Sequence, residues 1–137
     1  MLSTLELERY IKKEVLKRLN EVDWEKINFK VGNENSVEGT YIFTQDYEYH
    51  MIFMEKGKIR ENITTSEKEE VLWYAVNIFS FDLAMEYALN NNLKGKDFRR
   101  FLFKKEIEVC SLFGKAFEKR KRYEIEEILK KNPYNDI

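Results

Sequence analysis

The chain has 137 residues, 43% hydrophobic and 15% aromatic, with five glycines, one proline and one cysteine. That composition excludes a disordered, collagen-like or disulfide-stapled chain, and the length is read as a single α+β domain over residues 1–137. Charged residues reach 36% yet cancel to a net −1, a total that demands neither DNA nor a membrane as partner.

The cancellation hides a split. Residues 1–31 carry 7 basic against 6 acidic side chains, residues 32–92 carry 4 against 11, and residues 93–137 carry 13 against 8. The middle is therefore at −7 and the end at +5. A segregated acidic stretch can steer a cationic partner. Cys110 is the sole cysteine, which suits a reducing compartment. MLSTLELERYIKKE has acids from Glu6 onward and does not read as a signal peptide. No segment nears the roughly 20 apolar residues of a membrane span. The expected location is the cytoplasm.

In chain order, residues 4–20 place Leu7, Tyr10 or Ile11, Val15 and Leu19 at spacings of three and four, an amphipathic helix capped by Ser3 or Thr4. Ile27, Phe29 and Val31 then alternate, and GNENS supplies a turn before the short strand TYIFT at 40–44. Tyr47, Tyr49, Met51 and Phe53 alternate with Glu48, His50, Ile52 and Met54, the clearest strand of the chain. EKGK at 55–58 is a hairpin turn with Gly57 at its positive-φ position, and Ile59, Glu61 and Ile63 return from it. Three or four antiparallel strands forming a meander are expected between 26 and 64.

Ser66 with Glu69 forms a capping box ahead of a helix over 67–91. Asp97 can cap a helix through Phe113, with Gly114 at its exit, and a last helix over 116–131 stops at Asn132–Pro133. The expected fold is thus an N-terminal helix, a meander, then three C-terminal helices packed on one sheet face.

DFRRFLFKKE, residues 97–106, mixes arginines, lysines and phenylalanines and raises the question of nucleic acid. On a helical wheel Phe98, Phe101, Leu102, Val109, Leu112 and Phe113 fall together, with a second patch of Phe103, Ile107 and Cys110. A helix apolar on two sides is buried between neighbours, so the phenylalanines read as core and not as base-stacking platforms. Lys105 points into the main apolar face. Either its stem packs there while the ammonium reaches water, or it pairs with Asp82 or Glu86 of the preceding helix. The structural pair is the expected outcome, because an unpartnered buried charge is costly. KRKR at 119–122 is interleaved with Glu118, Glu124, Glu126 and Glu127 and reads as a solvated face rather than a nucleic-acid stripe.

Catalytic chemistry is not visible. His50 is the only histidine and cannot build a two-histidine metal site, Cys110 reads as a small buried hydrophobe, and the glycines are scattered. Neither a cofactor nor a metal is expected, and the chain reads as a non-enzyme. The acids around the meander, Glu34, Glu38, Asp46, Glu48 and Glu55, are either a solvated sheet face or a docking surface, with Tyr47 as an aromatic anchor within it.

Four segments taken in order, YEYHMIFMEKGK (47–58), ITTSEKEEVLWYAV (63–76), KDFRRFLFKKE (96–106) and EIEEILKKNPYND (124–136), resemble the immunity protein 63 family of bacterial polymorphic toxin systems. The family pattern falls here on Glu55, Lys56 and Gly57; on Thr65 and Trp73; on Asp97, Arg99, Arg100 and Phe103; and on Asn132 and Pro133. Lys56 departs from it, standing where the family has arginine. The resemblance implies a protein that binds and neutralises the toxic C-terminal domain of a toxin, often a nuclease with a basic groove. The acidic middle would then be the complementary face. An intracellular interaction adaptor or regulator with no toxin partner stays open as the alternative.

Overall fold

Of the two candidate caps, Ser3 starts the first helix. Its hydroxyl accepts from the Glu6 N–H and the Glu6 carboxylate accepts from the Ser3 N–H, so two otherwise unpaired donors are satisfied. The helix, α1 (Thr4–Leu16), buries Leu7, Ile11 and Val15 along one stripe. Each such side chain contributes about 1.5–3 kcal/mol on leaving water. The computed structural model describes residues 1–32 and 37–137.

A short 3₁₀ turn, Trp24–Lys26, leads into β1 (Ile27–Asn28), followed by β2 (Gly39–Gln45), β3 (Glu48–Glu55) and β4 (Lys58–Thr65) in a sheet of order β1-β2-β3-β4. β2, β3 and β4 are the expected antiparallel meander, but β1 runs parallel to β2, so the sheet is mixed. Alternation of side chains carries no direction, and Ile27 reads identically for either orientation. The Asn28 side-chain amide donates to the Thr40 carbonyl at 3.1 Å and supports the parallel register.

On one face Tyr41, Phe43, Ile52 and Met54 form a buried cluster. Gly32 lies against it so closely that a β-carbon there would stand 2.5 Å from Ile52 Cδ1 and 3.0 Å from Tyr41 Cγ, so a side chain would have to displace the Ile52 tip and press on the Tyr41 ring. His50 stacks flat on Phe43 with ring centroids 4.9 Å apart, and its Nε2 lies 3.0 Å from the Gln45 carbonyl. The lone histidine is thus a packed sheet residue.

Three helices follow: α2 (Lys68–Asn91), α3 (Arg99–Ser111) and α4 (Lys115–Lys131). Together with α1 and the sheet they make the α+β architecture expected. The Thr65 hydroxyl accepts from the Glu67 N–H just ahead of α2. The chain divides into two compact units, Met1–Ala75 and Val76–Ile137, with the boundary inside α2. In the second unit Ala84, Ala88, Leu102, Phe103 and Ile125 form a core, with Phe98, Phe101 and Ile107 packed against it.

The phenylalanines of DFRRFLFKKE are therefore core, as their spacing indicates. The buried face of α3 is, however, rotated by one residue from the wheel. It comprises Leu102, Phe103, Glu106, Val109 and Cys110, while Leu112 is exposed, so Glu106 rather than Lys105 sits at its centre.

Candidate partner-binding site

β2 and β3 are joined by a two-residue loop, Asp46–Tyr47, closed by the Gln45–Glu48 pair. Both loop residues have positive φ, 53° and 62°. Such a turn matches strand twist but ordinarily takes Asn-Gly or Asp-Gly. The next hairpin obeys the rule: Lys56 (φ 53°) and Gly57 (φ 74°) lie between the paired Glu55 and Lys58, so Gly57 occupies the expected position. Tyrosine at the corresponding place in the first turn costs about 1 kcal/mol or more relative to glycine. Its ring recovers nothing by burial, because Tyr47 is 91% exposed.

The base of this turn is rigid. The Thr44 N–H donates to Thr4 Oγ1 (3.0 Å), the Thr44 hydroxyl donates to the Leu2 carbonyl (2.8 Å), and the Leu2 N–H donates to the Tyr49 hydroxyl (2.9 Å). The N-terminus is thereby stitched to the ends of β2 and β3. Beside the turn lies a groove of about 470 Å³ lined by Met1, Leu2, Glu6, Thr44, Asp46 and Tyr47. Hydrogen bonds from Ser3 hold the Glu6 carboxyl below its ordinary range, so this rim stays anionic.

The remaining acids do not join that cluster. Asp46 and Glu48 are exposed at the Tyr47 end of β3, whereas Glu55 lies at the other end, seven residue steps or ~24 Å away at strand spacing. Glu38 belongs to that far end as well, its carboxylate accepting the Lys56 N–H at 3.0 Å. Glu55 faces Arg60 at 3.8 Å. Glu34 lies outside the described residues. Of the five acids grouped by sequence proximity, the four described ones fall into two pairs at opposite ends of β3.

The arginine motif works within the helical unit. The Asp97 carboxylate accepts from the Arg99 backbone and guanidinium and from the Asn135 N–H, while Arg99 also donates to the carbonyls of Asn132 and Pro133 at 2.9 Å each. Arg100 pairs with Asp136 at 2.8 Å and covers the Tyr134 ring at 4.1 Å. These hydrogen bonds, from Arg99 first, pull the Asp97 carboxyl well below its usual range. DFRR is thus a clamp on the chain's last residues.

Lys105, paired with Asp82 or Glu86 in the sequence reading, has Glu108 of its own helix at 3.1 Å and lies 5.4 Å from the Tyr87 ring. Asp82 is half-buried and Glu86 exposed. The deeply buried ion pair of this unit is one that the sequence reading missed, Glu106 with Lys121 at 3.6 Å. Lys121 is the buried member of the KRKR run, whose Lys119, Arg120 and Arg122 are exposed. Its signal was the spacing Phe117, Lys121, Ile125, Leu129, one apolar helix stripe with a lysine in it.

Among the described residues no group of three or more His, Cys, Asp and Glu side chains could hold a metal, and no helix is long and apolar enough to cross a membrane. Cys110 is buried, and burial pushes its thiol up. The exposed, preorganised feature is the Tyr47 turn. The model of the family described as Immunity protein 63 matches residues 45–127, more than half the chain, and its match begins at this turn. No curated protein and no solved structure matches.

Proposed function

The chain belongs to the Immunity protein 63 family, and on that premise we propose that it binds and neutralises the toxic C-terminal domain of a polymorphic toxin, with Tyr47 as the anchor. The observation carrying this reading is a 91% exposed aromatic side chain held at φ 62° on a two-residue turn. Backbone strain at an exposed residue is retained where the surroundings fix it for a task, and a protruding tyrosine is a rigid, amphipathic contact that fills a partner's pocket at low entropic cost.

Asp46 and Glu48 flank the anchor and supply the electrostatic part. Two exposed carboxylates beside a hot spot raise the association rate with a cationic surface, as in the substrate groove of a nuclease, while the ring sets the dissociation rate. Glu38 and Glu55, at the far end of β3, fall outside this docking site.

Co-expression tests the reading. Cells carrying the toxic domain encoded beside this gene should survive only when the chain is present, and the two proteins should co-purify. Tyr47→Gly should abolish rescue at equal soluble expression. Loss of viability despite abundant wild-type chain would remove the toxin reading; rescue unaffected by Tyr47→Gly would remove the anchor.

A further inference from the structure

β4 closes the sheet order, so only its β3 side is hydrogen-bonded within the sheet. Seven of its eight residues are exposed and Thr65 is half-buried, unlike β3, whose centre is buried. An edge strand offers a row of main-chain donors and acceptors to any second strand, and proteins ordinarily blunt such edges by shortness, proline, charge or a bulge. Here the blunting is confined to one end. Ile59 pairs with Met54 and Glu61 with Phe53, which leaves Arg60 as the extra, bulged residue. Glu61–Thr65 remain in unbroken register with Phe53–Tyr49, contain no proline, and expose Ile63 to 41%.

The regular stretch has a direction set by its neighbours. Its Thr65 end pairs with Tyr49 and is followed by the exposed acid Glu67. Its Glu61 end is bordered by the exposed cations Arg60 and Lys58. The Glu61 carboxylate accepts the Tyr74 hydroxyl at 2.8 Å and is thus already engaged. The open edge is therefore anionic at one end, cationic at the other and apolar between.

We propose that an extended segment of the toxin domain adds to the sheet as a fifth strand along Glu61–Thr65. This inference rests on the toxin-binding reading above and names the partner's form. The segment carries a basic residue near Glu67, an apolar residue beside Ile63, and an acidic residue near Arg60, which lies about 17 Å from the Thr65 end over five residue steps. Main-chain hydrogen bonds supply affinity and this side-chain order supplies selection.

Residue-resolved amide exchange tests it, using the full chain alone and with a catalytically inactivated form of the toxin domain encoded beside the gene. Alternate amides of Glu61–Thr65, those facing away from β3, should exchange freely in the chain alone and slow about a hundredfold in the complex. Ile63→Lys should weaken the complex about tenfold with an unchanged melting temperature. A complex that leaves those amides unprotected overturns the strand addition while sparing the toxin reading. Protection in the chain alone that grows with its concentration assigns the edge to a second copy and also overturns it. No complex with the wild-type chain overturns both readings together.

Discussion

Lys121 places its ammonium 3.6 Å from the Glu106 carboxylate, and the two side chains are 8% and 10% exposed. Glu124, 43% exposed, adds a second carboxylate at 3.5 Å. Two charges inside a helical core are stable only as a pair. Lys121→Met should therefore lower unfolding free energy by about 3–5 kcal/mol, because it leaves a buried carboxylate without its cation. Adding Glu106→Leu to that variant should restore most of the loss, as urea unfolding at neutral pH would register.

The same variant carries a pH signature. Burial raises the Glu106 carboxyl above its ordinary value, and Lys121 works against that rise. A carboxyl raised in the folded state binds protons more readily there than in the unfolded chain. It stabilises the fold below the unfolded pKa, and that contribution is lost as pH climbs through the folded value. Lys121→Met removes the restraint. Its melting temperature should fall more steeply than that of the wild type as pH rises above the ordinary carboxylate range.

Asp97 has the opposite sign. Its depressed carboxyl stabilises the clamp above the ordinary carboxylate range and ceases to do so as pH falls through the depressed value. Asp97→Asn should release residues 132–137, seen as lost protection of the Asn135 amide and faster cleavage by carboxypeptidase. Arg99→Lys should behave similarly, since one ammonium cannot hold the Asp97 carboxylate and the carbonyls of Asn132 and Pro133 together. A tail that stays protected in both variants would show that Tyr134 packing alone retains it.

For Tyr47 stability and affinity should move in opposite directions. Glycine suits φ 62° and loses no buried surface, so Tyr47→Gly should leave the melting temperature unchanged or higher. Toxin affinity should drop by about 2 kcal/mol or more if the ring is an anchor. A destabilised variant would place the ring in the fold instead.

The divided acids give a paired comparison. Asp46→Lys with Glu48→Lys should slow association with the toxin domain about tenfold at low salt and little at high salt. The same reversal at Glu38 and Glu55 should change the rate little. Equal effects at both ends would return the docking surface to the whole sheet.

Local rules carried much of this fold into plain view. The period-2 run of β3 and the Gly57 turn depend on residues a few positions apart and stand where the pattern puts them, and of the two candidate caps of α1 the structure uses Ser3. Features that depend on distant residues were hidden. β1 pairs by only two residues, too few to carry direction. The wheel for α3 was centred on its apolar members and so fell on Lys105; the true centre is Glu106, polar itself and intelligible only once Lys121 of another helix is beside it. DFRR and NPYND were both visible as motifs, but not that one grips the other.

That grip has a consequence for how the molecule opens. Chain ends ordinarily fray first, and a terminal helix peels from its tip. Here the first turn of α3 holds the backbone just past α4, and the Ile137 N–H donates to the Gly95 carbonyl at 2.8 Å. The segment from Gly95 to Ile137 is thus a loop fastened at both ends without a covalent link. α4 therefore has no loose tip from which to unwind, and its opening waits for the arginine latch.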